Sequence, residues 1–179
     1  DVSRVTTMEN MFRAAEQATS FKHELCGAAW VHSKANKKSM FRGSSGSISS
    51  VVCTSTTAGQ HVSPRPIPDR ELEVHVVVTT PVTGTLASPA FSPQSRDELK
   101  RVCDECLKVS PNGDCSDGPH GPMGEWDVSN VIDLHEIFSF RISFNSDISK
   151  WDVSSATTTK DMFALATSFN GDISEWDVS

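Results

Sequence analysis

Four side chains in the middle of the chain have the residue types and spacing to hold a metal: Cys103, Cys106, Cys115 and His120, in the pattern C-x2-C-x8-C-x4-H. Three thiolates and an imidazole are a tetrahedral zinc set. A Cys-x-x-Cys pair on a helix also supports thiol–disulfide chemistry. A lone Cys-x-x-Cys is weak evidence for either, and the remaining cysteines, Cys26 and Cys53, suggest another use. All five lie where regular repeats begin or end, as staples at end caps would; a Cys26–Cys53 disulfide would pin one cap, but the sequence leaves the pairing open, with buried free thiols as the other reading. No nucleophile elbow, phosphate loop, dinucleotide fingerprint or His-Glu-x-x-His motif is present, so the chain is read as non-enzymatic. No cofactor is expected.

What positions these cysteines is a beat of 25 residues. Trp126-Asp127-Val128-Ser129 returns at Trp151 to Ser154 and at Trp176 to Ser179. Phe138 and Phe163, Phe144 and Phe169, Asp147 and Asp172, and Ile148 and Ile173 keep the same interval. The chain also opens on Asp1-Val2-Ser3, with Phe12 at the spacing that separates Phe138 from Asp127. A fixed period of this length marks a repeat architecture in which each unit buries its apolar face against its neighbours. The fold class is therefore an α/β repeat solenoid, leucine-rich-repeat-like, with short strands and one short helical segment per 25-residue coil. The helical segment is predicted from Val5, Met8, Met11 and Phe12, and from Val131, Leu134, Ile137 and Phe138, which fall at helical spacing. Ser3 is placed to cap the first of them.

Inside a unit, Ile148 and Val153 differ in parity, so a corner is expected near Ser149-Lys150, between the pieces DIS and WDV. Trp126, Trp151 and Trp176, with the Phe, Ile and Val positions, are assigned to internal ladders, and Asn145 and Asn170 to an asparagine ladder. Asp127, Asp152, Asp177, Asp147 and Asp172 have two readings. Stacked carboxylates collect calcium, but no compact D-x-D-x-D-G loop is present, and each aspartate can cap its own turn. Turn capping is preferred. His135, aligned with Glu9 and Lys160, is expected at the surface.

The segments follow from these patterns. Residues 1–53 read as the end of a first array with a closing cap. Residues 54–93 are a linker rich in Pro, Thr and Val, with a strand expected at 72–80; His61 and His75 there are ordinary linker residues. Residues 94–123 form a helical cap opening a second array, whose repeats occupy 124–179. Because the chain begins and ends inside a repeat, it is expected to be part of something longer.

The net charge is −7. Residues 114–179 carry twelve acidic and three basic groups, a poor composition for neutralising phosphates, so no nucleic-acid partner is expected. No apolar run is long enough to span a membrane.

The WDVS-x-V stretch, the Met-Phe pair and FNxDIS together resemble the repeats of BspA-like leucine-rich-repeat-type surface proteins, known also from mycoplasma-type lipoproteins and algal secretory proteins. The resemblance covers 1–53 and about 91–179. Ala156-Thr157-Thr158 and Arg141 depart from the usual pattern. The resemblance implies an extracellular or surface-displayed module for adhesion or protein–protein interaction, with a protein or cell-surface polymer as partner. It transfers no catalytic residue. The alternatives are an accessory subunit of a larger assembly and a zinc or calcium binding module.

Overall fold

The computed structural model of the chain describes residues 4–14, 21–53 and 90–179. The strand expected at 72–80, His61 and His75 lie outside the described residues. Regular elements among those described are few. They are β1 (Glu24–Leu25), α1 (Ala28–His32), β2 (Ser47–Ile48), α2 (Arg96–Val109) and one 3-10 turn, Met123–Glu125. Strands β1 and β2 run parallel, with Leu25 opposite Ile48.

Most of the order comes from backbone bonds between equivalent residues of successive copies. The amides of Leu134, Glu136, Phe138 and Phe140 donate to the carbonyls of Thr158, Lys160, Met162 and Ala164, at 2.8–3.2 Å. Thr159, Asp161, Phe163 and Leu165 then donate to Thr7, Glu9, Met11 and Arg13 at 2.7–3.1 Å. Met8, Asn10, Phe12 and Ala14 donate in turn to Asn36, Lys38, Met40 and Arg42 at 2.8–3.1 Å. The result is four layers. The first spans 126–150 and the second 151–175. The third is assembled from 176–179, 4–14 and 21–25, and the fourth lies within 26–53. Residues 1–53 and 90–179, read from sequence as two separate arrays, form one compact unit. The amide of Arg4 donates to the carbonyl of Ser179 at 3.1 Å, where the third layer passes from one end of the chain to the other.

The segments expected to be helical, around Met8–Phe12, Leu134–Phe138 and Thr159–Phe163, are turns. An amide that donates to the next layer cannot also donate four residues back within a helix. Between these amides, alternate residues close tight i to i−3 turns, such as Met11 onto Met8, Met162 onto Thr159 and Arg141 onto Phe138. Glu136, Phe140, Asp161 and Leu165 have φ of 54–62°, left-handed values that a right-handed helix excludes. The buried residues of this stretch, Val131, Leu134 and Ile137, fall three apart, which is nearly the apolar stripe of a helix. The corner expected near Ser149-Lys150 is a turn, closed by Trp151 N onto Ile148 O at 3.1 Å.

Side chains fill the interior in columns. Phe138, Phe163, Phe12 and Phe41 stack with centroids 5.5–5.6 Å apart. Phe144, Phe169 and Phe21 form a second column at 5.6–6.1 Å. Within each of the first three layers the two columns touch at 3.9–4.0 Å. These offset aromatic contacts add to the burial of the rings.

On the opposite side the indoles replace a backbone ladder. Trp151 Nε1 donates to Met123 O, Trp176 to Ile148 O and Trp30 to Ile173 O, at 2.9–3.1 Å. Trp30 stands out of register in the sequence, and the short helix α1 returns it to the column, fully buried. The asparagine ladder also forms: Asn145 Oδ1 accepts from Asn170 N and Asn170 Oδ1 from Lys22 N, at 2.8 and 3.0 Å.

Both ends of the stack are closed. Helix α2 begins at Ser95, whose hydroxyl accepts from Glu98 N. It lays Leu99, Val102, Cys103 and Leu107 onto the first layer. Its solvent-side cations satisfy carbonyls that no further layer reaches. Arg96 Nε donates to His135 O and Lys100 Nζ to Ile137 O, both at 2.9 Å. One helical turn separates the two cations, which matches two residues of extended edge. Arg141, the departure from its alanine column, pairs with Asp104 of this helix. At the far end the disulfide Cys26–Cys53 joins the two ends of the fourth layer.

Burial decides the cost of each aromatic. Phe163→Ala should lower the unfolding free energy by about 3–5 kcal/mol, and Phe140→Ala, 67% exposed, by no more than about 0.5 kcal/mol. Chemical denaturation of the two variants measures both.

Candidate functional site

The capped end carries the cysteines proposed from sequence for zinc, and it pairs them differently. Cys106 is disulfide-bonded to Cys115, and Cys103 is a free thiol with no exposure. Burial pushes the Cys103 thiol well above its ordinary range, and the neighbouring Asp104 pushes it in the same direction. A thiol held neutral is neither a good ligand nor a good nucleophile. His120 is not directed to the sulfurs as a fourth ligand. Its ring lies 4.0 Å from that of Phe91 and edge-on to Trp126 at 6.3 Å. The four residues therefore do not make a zinc set in this disulfide-bonded form.

Cys106, Cys115 and His120 do border a cleft of about 440 Å³, between the end of α2 and the loop 110–121, with Val102, Val109, Trp126 and the disulfide among its walls. Phe91 belongs to this end rather than to the linker, since its carbonyl accepts from Asp127 N at 2.9 Å and its ring meets Trp126 edge-on. The linker thus ends earlier than residue 93.

The repeated aspartates all make the same local bond. Oδ1 of Asp127, Asp147, Asp152, Asp172 and Asp177 accepts from the amide two residues on, at 3.0–3.1 Å. Ser129 and Ser179 add hydroxyl donation at 2.6 and 2.5 Å, so these serines serve the aspartate rather than a helix. Donation to the ionised form favours it. The Ser129, Ser149 and Ser179 hydroxyls, then their amides, hold Asp127, Asp147 and Asp177 below the usual carboxylate range. For Asp172 the Ser174 amide leads and the hydroxyl follows. Each turn is closed by the protein's own donors, and at Asp127 the second carboxylate oxygen also accepts, from Ser92 Oγ at 3.1 Å.

One cluster was not visible as a motif. His135 was expected at the surface, but it is half-buried between layers. Its Nδ1 faces Lys160 O at 2.9 Å and its amide donates to Asp133 Oδ1 at 2.8 Å. A carbonyl only accepts, so Nδ1 is the donor in this contact. Nε2 lies 3.6 Å from Glu136 Oε1, and ligand atoms of His135, Glu136 and Asp161 are all within 4.8 Å of one another. Glu136 and Asp161 are separated by the repeat interval, which was the available signal. The periodicity was read column by column, and a histidine one place along belongs to a different column.

Two outcomes test this description. Because the pKa values of Asp127, Asp147, Asp172 and Asp177 lie lower in the folded chain than the roughly 3.9 of an unfolded one, their stabilisation is present above about pH 4 and is lost as pH falls through the folded values. The triple change Asp127→Asn, Asp147→Asn, Asp172→Asn should flatten the loss of Tm between pH 5 and pH 2. Alkylation followed by mass spectrometry should leave Cys103 unmodified in the native protein and modify it fully in denaturant.

Residues 1–52 and 116–179, more than half of the chain, match a family model described as Mycoplasma protein of unknown function, DUF285. No curated protein matches the chain, and no solved structure does. The matched residues include every WDVS turn and most of the aromatic columns, and the chain belongs to the DUF285 family.

Proposed function

We propose that the chain is a non-enzymatic solenoid scaffold of the BspA-like type, displayed outside the cell, that binds a protein or a surface polymer. The observation that carries this reading is the stacking of 25-residue equivalents. Side chains that point outward recur at a fixed step, the property by which repeat proteins present an extended binding surface. Membership of DUF285 and two disulfides, which persist in oxidising compartments, support display outside the cytoplasm. On the outer surface Phe140 and Ile142 are 67% and 64% exposed and flank Arg141. Exposed aromatic and aliphatic side chains beside an arginine are typical anchors of an interface.

The test is capture by the immobilised full-length chain from surface extracts of the cells that produce it. Saturable binding that falls about tenfold or more in a Phe140→Ser, Ile142→Ser variant is expected, since anchor residues carry most of a binding energy. Absence of capture by the unaltered chain contradicts the scaffold reading.

A second reading, a divalent-metal module, is favoured by His135, Glu136 and Asp161 alone. One imidazole nitrogen and two carboxylates suit zinc or manganese better than calcium. Isothermal titration with Zn²⁺ should then show one site that His135→Ala removes. Titration without heat or stoichiometry rejects it.

A further inference from the structure

The stack is made of two pieces that are each stapled internally and joined to one another by no disulfide. Cys26–Cys53 lies wholly within residues 4–53, and Cys106–Cys115 wholly within 90–179. Between the pieces run the amide bonds from Thr159, Asp161, Phe163 and Leu165 to Thr7, Glu9, Met11 and Arg13. The Asn170–Lys22 rung, the Trp30 indole on Ile173 O, and the ring pairs Phe12–Phe163 and Phe21–Phe169 complete the joint. Every one of these contacts is between residues more than a hundred positions apart, and the only covalent route from one piece to the other is the 36-residue segment 54–89.

We infer that the chain self-associates by exchange, residues 4–53 of one copy stacking on residues 126–179 of a second copy. A backbone ladder does not distinguish its own chain from an identical one. Opening the joint within one molecule would expose Phe163, Phe169, Ile173 and Trp176 on one side and Met8, Phe12, Leu25 and Trp30 on the other, all nearly fully buried when it is closed. That exposure opposes an open monomer. It places no penalty on an exchanged assembly, in which the same groups are covered by the same partners. Closed and exchanged forms then differ chiefly by effective concentration, roughly millimolar for tethered pairs in general.

The experiment uses two full-length variants, Thr7→Cys and Thr158→Cys, at positions paired directly across the joint. A ladder spacing of about 4.8 Å falls within disulfide reach. The two are mixed in denaturant with native disulfides intact, refolded at about 10 µM and at about 1 mM, oxidised mildly, and mapped by mass spectrometry and light scattering. The expected result is an interchain 7–158 disulfide in a compact dimer or larger ring, enriched about tenfold or more at the higher concentration. A second, double variant carrying both cysteines should form the 7–158 bond within one chain at low concentration. If the double variant cross-links internally and the mixture gives no interchain bond at either concentration, exchange is overturned. It is equally overturned if the folded double variant forms no 7–158 bond at all, because the joint itself would then be absent.

Discussion

Everything in this molecule depends on each copy of the repeat lending its backbone to the next. The amides at alternate positions of one layer are satisfied by carbonyls of its neighbour, so no layer is complete alone. That constraint sets the local conformation. The chain cannot wind into helix where its amides point along the stack, and it becomes a series of three-residue turns with left-handed residues at Glu136, Phe140, Asp161 and Leu165. The aromatic columns follow from the same alignment, because equivalent residues one layer apart must stack ring on ring. The indole bonds of Trp151, Trp176 and Trp30 do on one side what backbone bonds do on the other.

An array built in this way is vulnerable at its ends, where the last row of carbonyls or amides has no partner. The opening end meets this with helix α2, whose Arg96 and Lys100 reach edge carbonyls at helical spacing. Arg141 then receives the helix through Asp104. In the other direction the second layer would end in unpaired amides at Thr159 to Leu165, were it not covered by residues 4–14. The unity of 1–53 and 90–179 is thus a consequence of edge satisfaction rather than of chain order.

Much of this was written in the sequence, in unequal degree. The period and the buried columns of Phe and Trp follow from spacing that the copies share. Helix α2 follows from its own apolar stripe and acidic first turn, whereas which cysteines pair does not follow from spacing. The helix expected across Leu134 to Phe138 did not form, because apolar residues three apart, as Leu134 and Ile137 are, and a helix of about 3.6 residues per turn give nearly the same stripe over two turns. The meeting of the two ends was illegible for a different reason. Single-chain patterns show what repeats, not which edge covers which. The cysteine set was weak evidence for zinc in the sequence, and its pairing is a matter of distance: Cys103 sits one turn from Cys106 but under the helix, while Cys115 returns beside Cys106. The cluster of His135, Glu136 and Asp161 needed two adjacent columns and two layers at once, which no linear motif encodes.

The central claim is that residues 4–14 complete the backbone ladder left open by the second layer. Hydrogen–deuterium exchange of the full-length chain, resolved to single amides, tests it most directly. The account predicts that Thr159, Asp161, Phe163 and Leu165 are protected to the same degree as Leu134, Glu136 and Phe138, whose partners lie one repeat away in sequence. Exchange of the four at the rate of an open edge, with the other three still protected, would contradict it.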